Sequence, residues 1–209
     1  MSAEIEVVLL DVGGVIVPPA DPLRLAHAAA QLGLSSAEFV ALLYEGEPWY
    51  TLSTGRSDEA AYWQTLGARV GWPEADLRRL LEPVWERDTV DDDVVALVQA
   101  LRGRTRLAIL SNATLRLKDH LHCLGVAQFF TPIINSARVG LRKPDPRMFS
   151  LALALLGVEP AAVLFVDDKQ RNVEVAREMG MATVLFDRAS TLAAALTTAG
   201  LLPCAPDMS

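Results

Sequence analysis

The chain of 209 residues has a formal net charge of −7, a sequence pI near 5.0, 51% hydrophobic and 22% charged residues. That composition allows a sizeable core and excludes a general nucleic-acid binder, because phosphate backbones are held mainly by Lys and Arg. The two cysteines, Cys123 and Cys204, lack partner spacing, so neither a disulfide framework nor a zinc site is expected.

The apolar start of the chain carries Glu4, Glu6 and Asp11 and no preceding basic residue. It therefore lacks the pattern of a signal peptide, and no apolar run approaches the ~20 residues of a membrane span. A soluble, cytoplasmic protein without a membrane partner is the expectation.

Five apolar runs read as buried strands, at 6–10, 107–110, 132–135, 163–166 and 182–186. From the second onward they alternate with helical patterns at 115–124, 147–156, 171–179 and 191–198. Strands buried on both faces and alternating with helices predict an α/β fold with a doubly wound parallel sheet. Between the first two strands, four helical segments at 22–32, 36–43, 58–70 and 74–85 are broken at Gly33, residues 46–48, Gly55 and residues 71–73. Ser35 and Glu38 have capping-box spacing, and Asp58 and Glu59 suit the positive end of their helix. All four tryptophans and all three tyrosines lie here, as expected if they build this insertion's own core. The predicted division is an α/β core of 1–17 and 89–209 with a helical insertion at 18–88. A helix at 94–101 leads back to the sheet, and the acidic run 91–93 before it suits N-terminal capping. The tail from 203 reads as frayed.

Ligands of parallel α/β sheets bind beyond the carboxyl ends of the strands. There the sequence places Asp11 followed by Gly13 and Gly14, then Ser111-Asn112, then Lys143-Pro144-Asp145-Pro146, then Asp167-Asp168 with Asn172. Each alone fits a cap, a turn or a solvated loop. Together, three carboxylates at one sheet edge would repel unless a cation sits among them, and oxygen ligands favour Mg²⁺. Lys143 is a further positive group able to hold a phosphoryl oxygen.

This constellation resembles the haloacid dehalogenase-like superfamily over nearly the whole chain, with the insertion where that family carries a helical cap. The string 140–144, Gly-Leu-Arg-Lys-Pro, and the segment 55–59, Gly-Arg-Ser-Asp-Glu, are similar to a subgroup acting on glucose 1-phosphate. The resemblance implies a phosphatase of small phosphomonoesters with Asp11 as nucleophile. Ser111 and Lys143 would be catalytic, and Asn112, Gly13 and Gly14 would lie at the substrate. Mg²⁺ would be held by Asp11, the backbone carbonyl of Gly13, Asp167 and Asp168, with Asn172 supporting that loop. The partner implied is a small phosphorylated molecule, and the protein would be a monomer or homodimer.

Most phosphatases of that superfamily carry a second Asp two positions after the nucleophile, where this chain has Gly13. That side chain protonates the leaving group and activates water, assistance worth about 10²–10⁴-fold. Three readings stay open. Another group such as Asp21, His27 or the substrate itself does the proton work; or the enzyme is slow and favours good leaving groups; or it is a carbon–halogen hydrolase, whose chemistry also lacks this Asp. Paired Asp167 and Asp168 count against the third, and the missing Asp disfavours a phosphomutase. A catalytically impaired binding protein is a further alternative, against which the retained Asp11, Ser111, Lys143 and Asp168 count. His120 and His122 read as surface residues.

Overall fold

Apolar side chains on successive residues cannot all face one core, and the runs 7–10, 107–111 and 163–167 resolve this by being covered on both sides. The structure, a computed structural model, describes residues 4–85 and 89–203. β1 (Val7–Leu10), β2 (Arg106–Ser111), β3 (Ile133–Asn135), β4 (Val163–Asp167) and β5 (Ala182–Leu185) form one parallel sheet in the order β3-β2-β1-β4-β5. The doubly wound α/β fold is thus present.

Between β1 and β2 run α1 (Pro22–Gln31), α2 (Ser36–Tyr44), α3 (Gly46–Ser53), α4 (Glu59–Val70), α5 (Glu74–Trp85) and α6 (Asp92–Ala100). The later crossovers are α7 (Leu117–Cys123), α8 (Ser136–Val139), α9 (Pro146–Leu156), α10 (Gln170–Glu178) and, after β5, α11 (Ala189–Thr198). Val8, Leu10, Ile109 and Val166 pack on one side of the sheet with residues of α6, α7 and α11. Val7, Leu9, Leu110 and Phe165 pack on the other with α9 and α10. The period-2 alternation of a strand divides each run between two cores.

A third apolar cluster contains no strand residue. Ala28, Phe39, Leu43, Leu52, Tyr62, Trp63, Leu66, Leu77 and Leu81 bring together α1 to α5. Tyr62 buries its ring there and its hydroxyl donates to the Leu43 carbonyl at 2.6 Å, the partner a buried phenol needs. Trp49 packs against the same cluster, whereas Tyr44 and Tyr50 are exposed. The caps follow the sequence. Ser35 and Glu38 complete a capping box on α2, Asp58 caps α4 by accepting from Ala61 N–H, and Asp91 caps α6 by accepting from Val94 N–H.

The expected break at residues 46–48 is instead the start of α3. Pro48 stands in its first turn, where no intrahelical N–H is required. The short α8 falls outside the helical patterns of the sequence; Asn135 caps it by accepting from Ala137 N–H. The expected boundary between residues 88 and 89, the side chain of Trp85, Cys204 and most of the tail lie outside the described residues. Several contacts join the helical cluster to the sheet side. Gly55 lies so close to α8 that a β-carbon there would be 2.2 Å from the Ala137 carbonyl oxygen, and Glu59 lies 3.7 Å from Arg116. No helix among the described residues is long and apolar enough to cross a membrane.

Candidate active site

From the central β1 the chain winds outward to β2 and β3, then returns to β4 and β5 on the other side. The crevice beyond β1 and β4 is therefore the switch point where α/β sheets bind ligands. Asp11 leaves β1 there, and its N–H donates to the Val166 carbonyl at 2.9 Å. Leu10 is in register with Val166, so Asp11 stands beside Asp167. Both continue the face of Leu9 and Phe165, and two carboxylates side by side on neighbouring strands repel.

Lys143 resolves the repulsion. It arrives on the loop between α8 and α9, 1% exposed, with Nζ 3.0 Å from Asp11 Oδ2 and 2.6 Å from Asp167 Oδ2. Its ammonium lies 5.5 Å from the Phe165 ring centroid. Burial works against the charge of Lys143, but Asp11 and Asp167 outweigh it and hold the ammonium above its ordinary range. Asp11 responds differently. Burial pushes its carboxyl up to about 6, helped by the Asp167 charge and opposed by Lys143 and a Ser111 hydrogen bond.

The two neighbouring aspartates after β4 differ in their bonding. Asp167 is fully buried and saturated, with Lys143 on Oδ2 and both Lys169 N–H and Asn172 Nδ2 donating to Oδ1 at 2.9 and 2.8 Å. Asp168 has Lys169 Nζ 2.7 Å from Oδ2, while its Oδ1 is buried without a partner. A buried, unpartnered carboxylate oxygen costs free energy unless a ligand meets it. Oxygens of Asp11, Asp167 and Asp168 lie within 4.8 Å of one another. This all-oxygen donor set, with one oxygen unspent, fits a hard divalent cation.

The glycines after Asp11 do different things. Gly14 adopts φ +80°, and a β-carbon there would be 2.4 Å from Asp168 Oδ2, so its missing side chain makes room for that carboxylate. Gly13 lacks a positive φ, and a β-carbon at that position would meet nothing within 4 Å.

Of the expected site residues, the structure brings Asp11, Ser111, Lys143, Asp167 and Asn172 into one bonded group, with a carboxylate oxygen of Asp168 within 4.8 Å of those of Asp11 and Asp167. Asn112 joins it through the backbone of Lys143: its Nδ2 donates to the Lys143 carbonyl and its Oδ1 accepts the Lys143 N–H, each at 2.8 Å. Asp21 and His27 stand elsewhere. Asp21 is exposed and caps α1, accepting from Leu23 and Arg24 N–H. His27 lies in a groove of about 880 Å³ lined also by Arg24, Trp72 and Arg79, which contains none of the residues around Asp11. His122 is exposed. The stacking of Arg56 and Arg142 on Tyr50, 5.3 and 5.7 Å from the ring centroid, has no local sequence signal, because the three residues meet only through the fold.

The chain is 38% identical over 94 residues to phosphoserine phosphatase of Thermus thermophilus, a stretch covering 44% of this chain and 38% of that protein. The shared stretch is well under half the length of the first curated relatives it matches. Its backbone superposes with a TM-score of 0.73 on a structure described as a predicted HAD-like family hydrolase from Porphyromonas gingivalis, at 23% identity, covering 94% of this chain and 98% of that one. A haloacid dehalogenase-family enzyme of Bacteroides thetaiotaomicron, in complex with magnesium and inorganic phosphate, gives 0.67 at 21% identity, covering 86% and 92%. The sequence also matches the family of haloacid dehalogenase-like hydrolases over residues 5–180. That span runs through every residue of the bonded group from Asp11 to Asn172, and the chain belongs to this hydrolase family.

Proposed function

We propose that this chain is a Mg²⁺-dependent phosphatase of small phosphomonoesters that works through an aspartyl-phosphate on Asp11. The observation that carries the reading is the buried triad in which Lys143 bridges Asp11 and Asp167 beside the unspent oxygen of Asp168.

A carboxylate oxygen of Asp11 attacks phosphorus in line, the phosphorus–oxygen bond to the leaving group breaks, and water then cleaves the acyl-phosphate. The Ser111 hydroxyl and the Lys143 ammonium donate to the transferring phosphoryl oxygens. Asn112 fixes Lys143 through its backbone, and Asn172 holds Asp167, so the ammonium meets the reaction already oriented. Asp11, Asp168 and the Gly13 carbonyl are the residues that would hold Mg²⁺, with Asp167 joining them directly or through water. The ion would supply charge compensation for the phosphoryl group as negative charge develops. Magnesium and phosphate in the Bacteroides enzyme and the Thermus phosphatase relative support this reading.

Helices α1 to α5 would act as a cap over the crevice, excluding water and setting specificity. Gly13 supplies no acid or base, so good leaving groups are favoured: acyl, aryl and anomeric phosphates, the last including the glucose 1-phosphate class. Gly13 also favours a second reading, a carbon–halogen hydrolase, but that chemistry leaves the Asp168 oxygen without a purpose.

The test is hydrolysis of aryl, acyl and sugar phosphates with Mg²⁺, with Asp11→Asn as control. Mg²⁺-dependent turnover lost in the variant is expected. Activity that survives EDTA, or that appears only on 2-haloacids, overturns the proposal.

A further inference from the structure

Three arginines gather beside the loop that carries Lys143. Arg142 immediately precedes it, and Arg171 follows Asp168 by three residues in the first turn of α10. Arg56 comes from the opposite side, the turn after α3, and shares the Tyr50 ring with Arg142. The close approach of Gly55 to the Ala137 carbonyl seats that turn against the sheet side.

These charges have no carboxylate partner among the described residues. Among the described residues no ion pair within 4.0 Å involves Arg56, Arg142 or Arg171, whereas neighbouring Arg147 has Asp145 at 2.6 Å. Burial and the adjacent charge of Arg171 both hold the Arg142 guanidinium below its ordinary range, with Tyr50 opposing them. In a chain with 26 acidic and 19 basic residues, counter-charges are abundant, yet none is spent here. Stacking on Tyr50 accounts for how two of the guanidiniums are held. It does not account for a third cation placed next to a half-buried one without a carboxylate. Guanidiniums clustered beside the loop that carries Lys143 offer a place where an anionic ligand supplies the missing sign.

We infer that Arg142 and Arg171, with Arg56 across the crevice, bind a second anionic group of the substrate, a carboxylate or a second phosphate. The inference rests on the phosphatase reading of the Asp11 site and narrows its substrates to phosphomonoesters with a separate negative charge on the leaving portion. Guanidinium forks match both groups in bidentate geometry. Glucose 1-phosphate, with an uncharged sugar, would then be a weaker substrate than a carboxylated or doubly phosphorylated one.

The experiment compares 4-carboxyphenyl phosphate and 1,4-phenylene bisphosphate with 4-carbamoylphenyl phosphate, whose leaving portion is uncharged, using the full chain with Mg²⁺. Binding of the three corresponding phosphonates is measured alongside by calorimetry. The expected preference for a charged over the uncharged compound is about 10- to 100-fold in kcat/KM and in Kd, the range of a charge-assisted hydrogen-bonded pair. Arg142→Gln should reduce that ratio to within about threefold of unity. Exposed Arg171→Gln provides the same reading should loss of Arg142 impair folding. Which charged arm wins separates a carboxylate from a phosphate site. Turnover of all three esters without preference, or equal losses on charged and uncharged compounds in the variants, overturns the subsite and leaves the phosphatase reading standing. Absent turnover with a retained, arginine-dependent preference among phosphonates supports the subsite and overturns the hydrolytic reading. Failure of every phosphonate to bind overturns the subsite.

Discussion

Asn112 and Lys143, 31 residues apart, exchange two 2.8 Å hydrogen bonds between the side-chain amide of the first and the backbone of the second. The pair ties the end of β2 to the loop that delivers the buried ammonium. Asn112→Ala would strip partners from both backbone groups, at about 1–3 kcal/mol for each one left unsatisfied. A lower denaturation midpoint and at least a tenfold fall in kcat are expected, since a small misplacement of an orienting group is costly. Asn112→Asp keeps the acceptor and loses the donor, and should fall between. A variant with normal kcat would show that the clamp does not position Lys143.

Gly13 offers the site for a gain of function. A β-carbon there meets nothing within 4 Å and the backbone is not in the left-handed region, so Gly13→Asp should fold with its backbone carbonyl in place. It would supply an acid–base group in reach of the leaving oxygen. We expect kcat on alkyl phosphates to rise by about 10²-fold, with little change on acyl phosphates, which need no protonation. Equal changes on both classes would speak for another proton donor already present.

Gly14 has the opposite character. Alanine at φ +80° is strained, and its β-carbon would be 2.4 Å from Asp168 Oδ2. Gly14→Ala should therefore displace that carboxylate and, on the proposed assignment of Asp168 as a ligand, weaken Mg²⁺ binding by tenfold or more. Titration of Mg²⁺ by calorimetry checks this; unchanged affinity would remove Asp168 from the ligand set.

The carboxyl of Asp11 carries a stability signature. Its folded-state value is raised from 3.8 to about 6 by burial, so the fold favours the neutral form. That contribution is fully present below about 4 and lost as pH rises through 6. In EDTA, Asp11→Asn should melt higher than the wild type at pH 7–8, by about 2–3 kcal/mol at most for a two-unit shift, and the difference should vanish near pH 4. Scanning calorimetry across pH reads it directly. A variant less stable than the wild type at pH 8 would contradict it.

The inner strands β2, β1 and β4 are legible in the sequence because each run has to be apolar to fill two cores, and β1 is buried at every position. The caps of α2, α4 and α6 are legible because side chain and target lie within three residues. α3 is not, because Gly46 and Pro48 carry the same signal at a chain break and in a first helical turn. Within the site, the strand ends point to Asp11, Ser111 and the Asp167–Asp168 pair, and the loop beyond the third strand points to Lys143. What escapes are relations between distant residues: Asn112 engaged by Lys143 instead of standing free for a ligand, Gly14 making room for Asp168, and Tyr50 between two arginines. Nothing local to those residues encodes their partners.

Asp11 and Asp167 stand level only because Leu10 pairs with Val166. A deletion of one residue within β4 would turn the Asp167 position toward the opposite core, depriving Lys143 of its second carboxylate. The spacing of the sheet is thus as fixed as the identity of its charged residues. Helices α1 to α5 bear no such constraint on their length, since their core includes no strand residue. Insertions and deletions would be tolerated there and purged from the strands, which makes the helical part the place where new substrate preferences can arise.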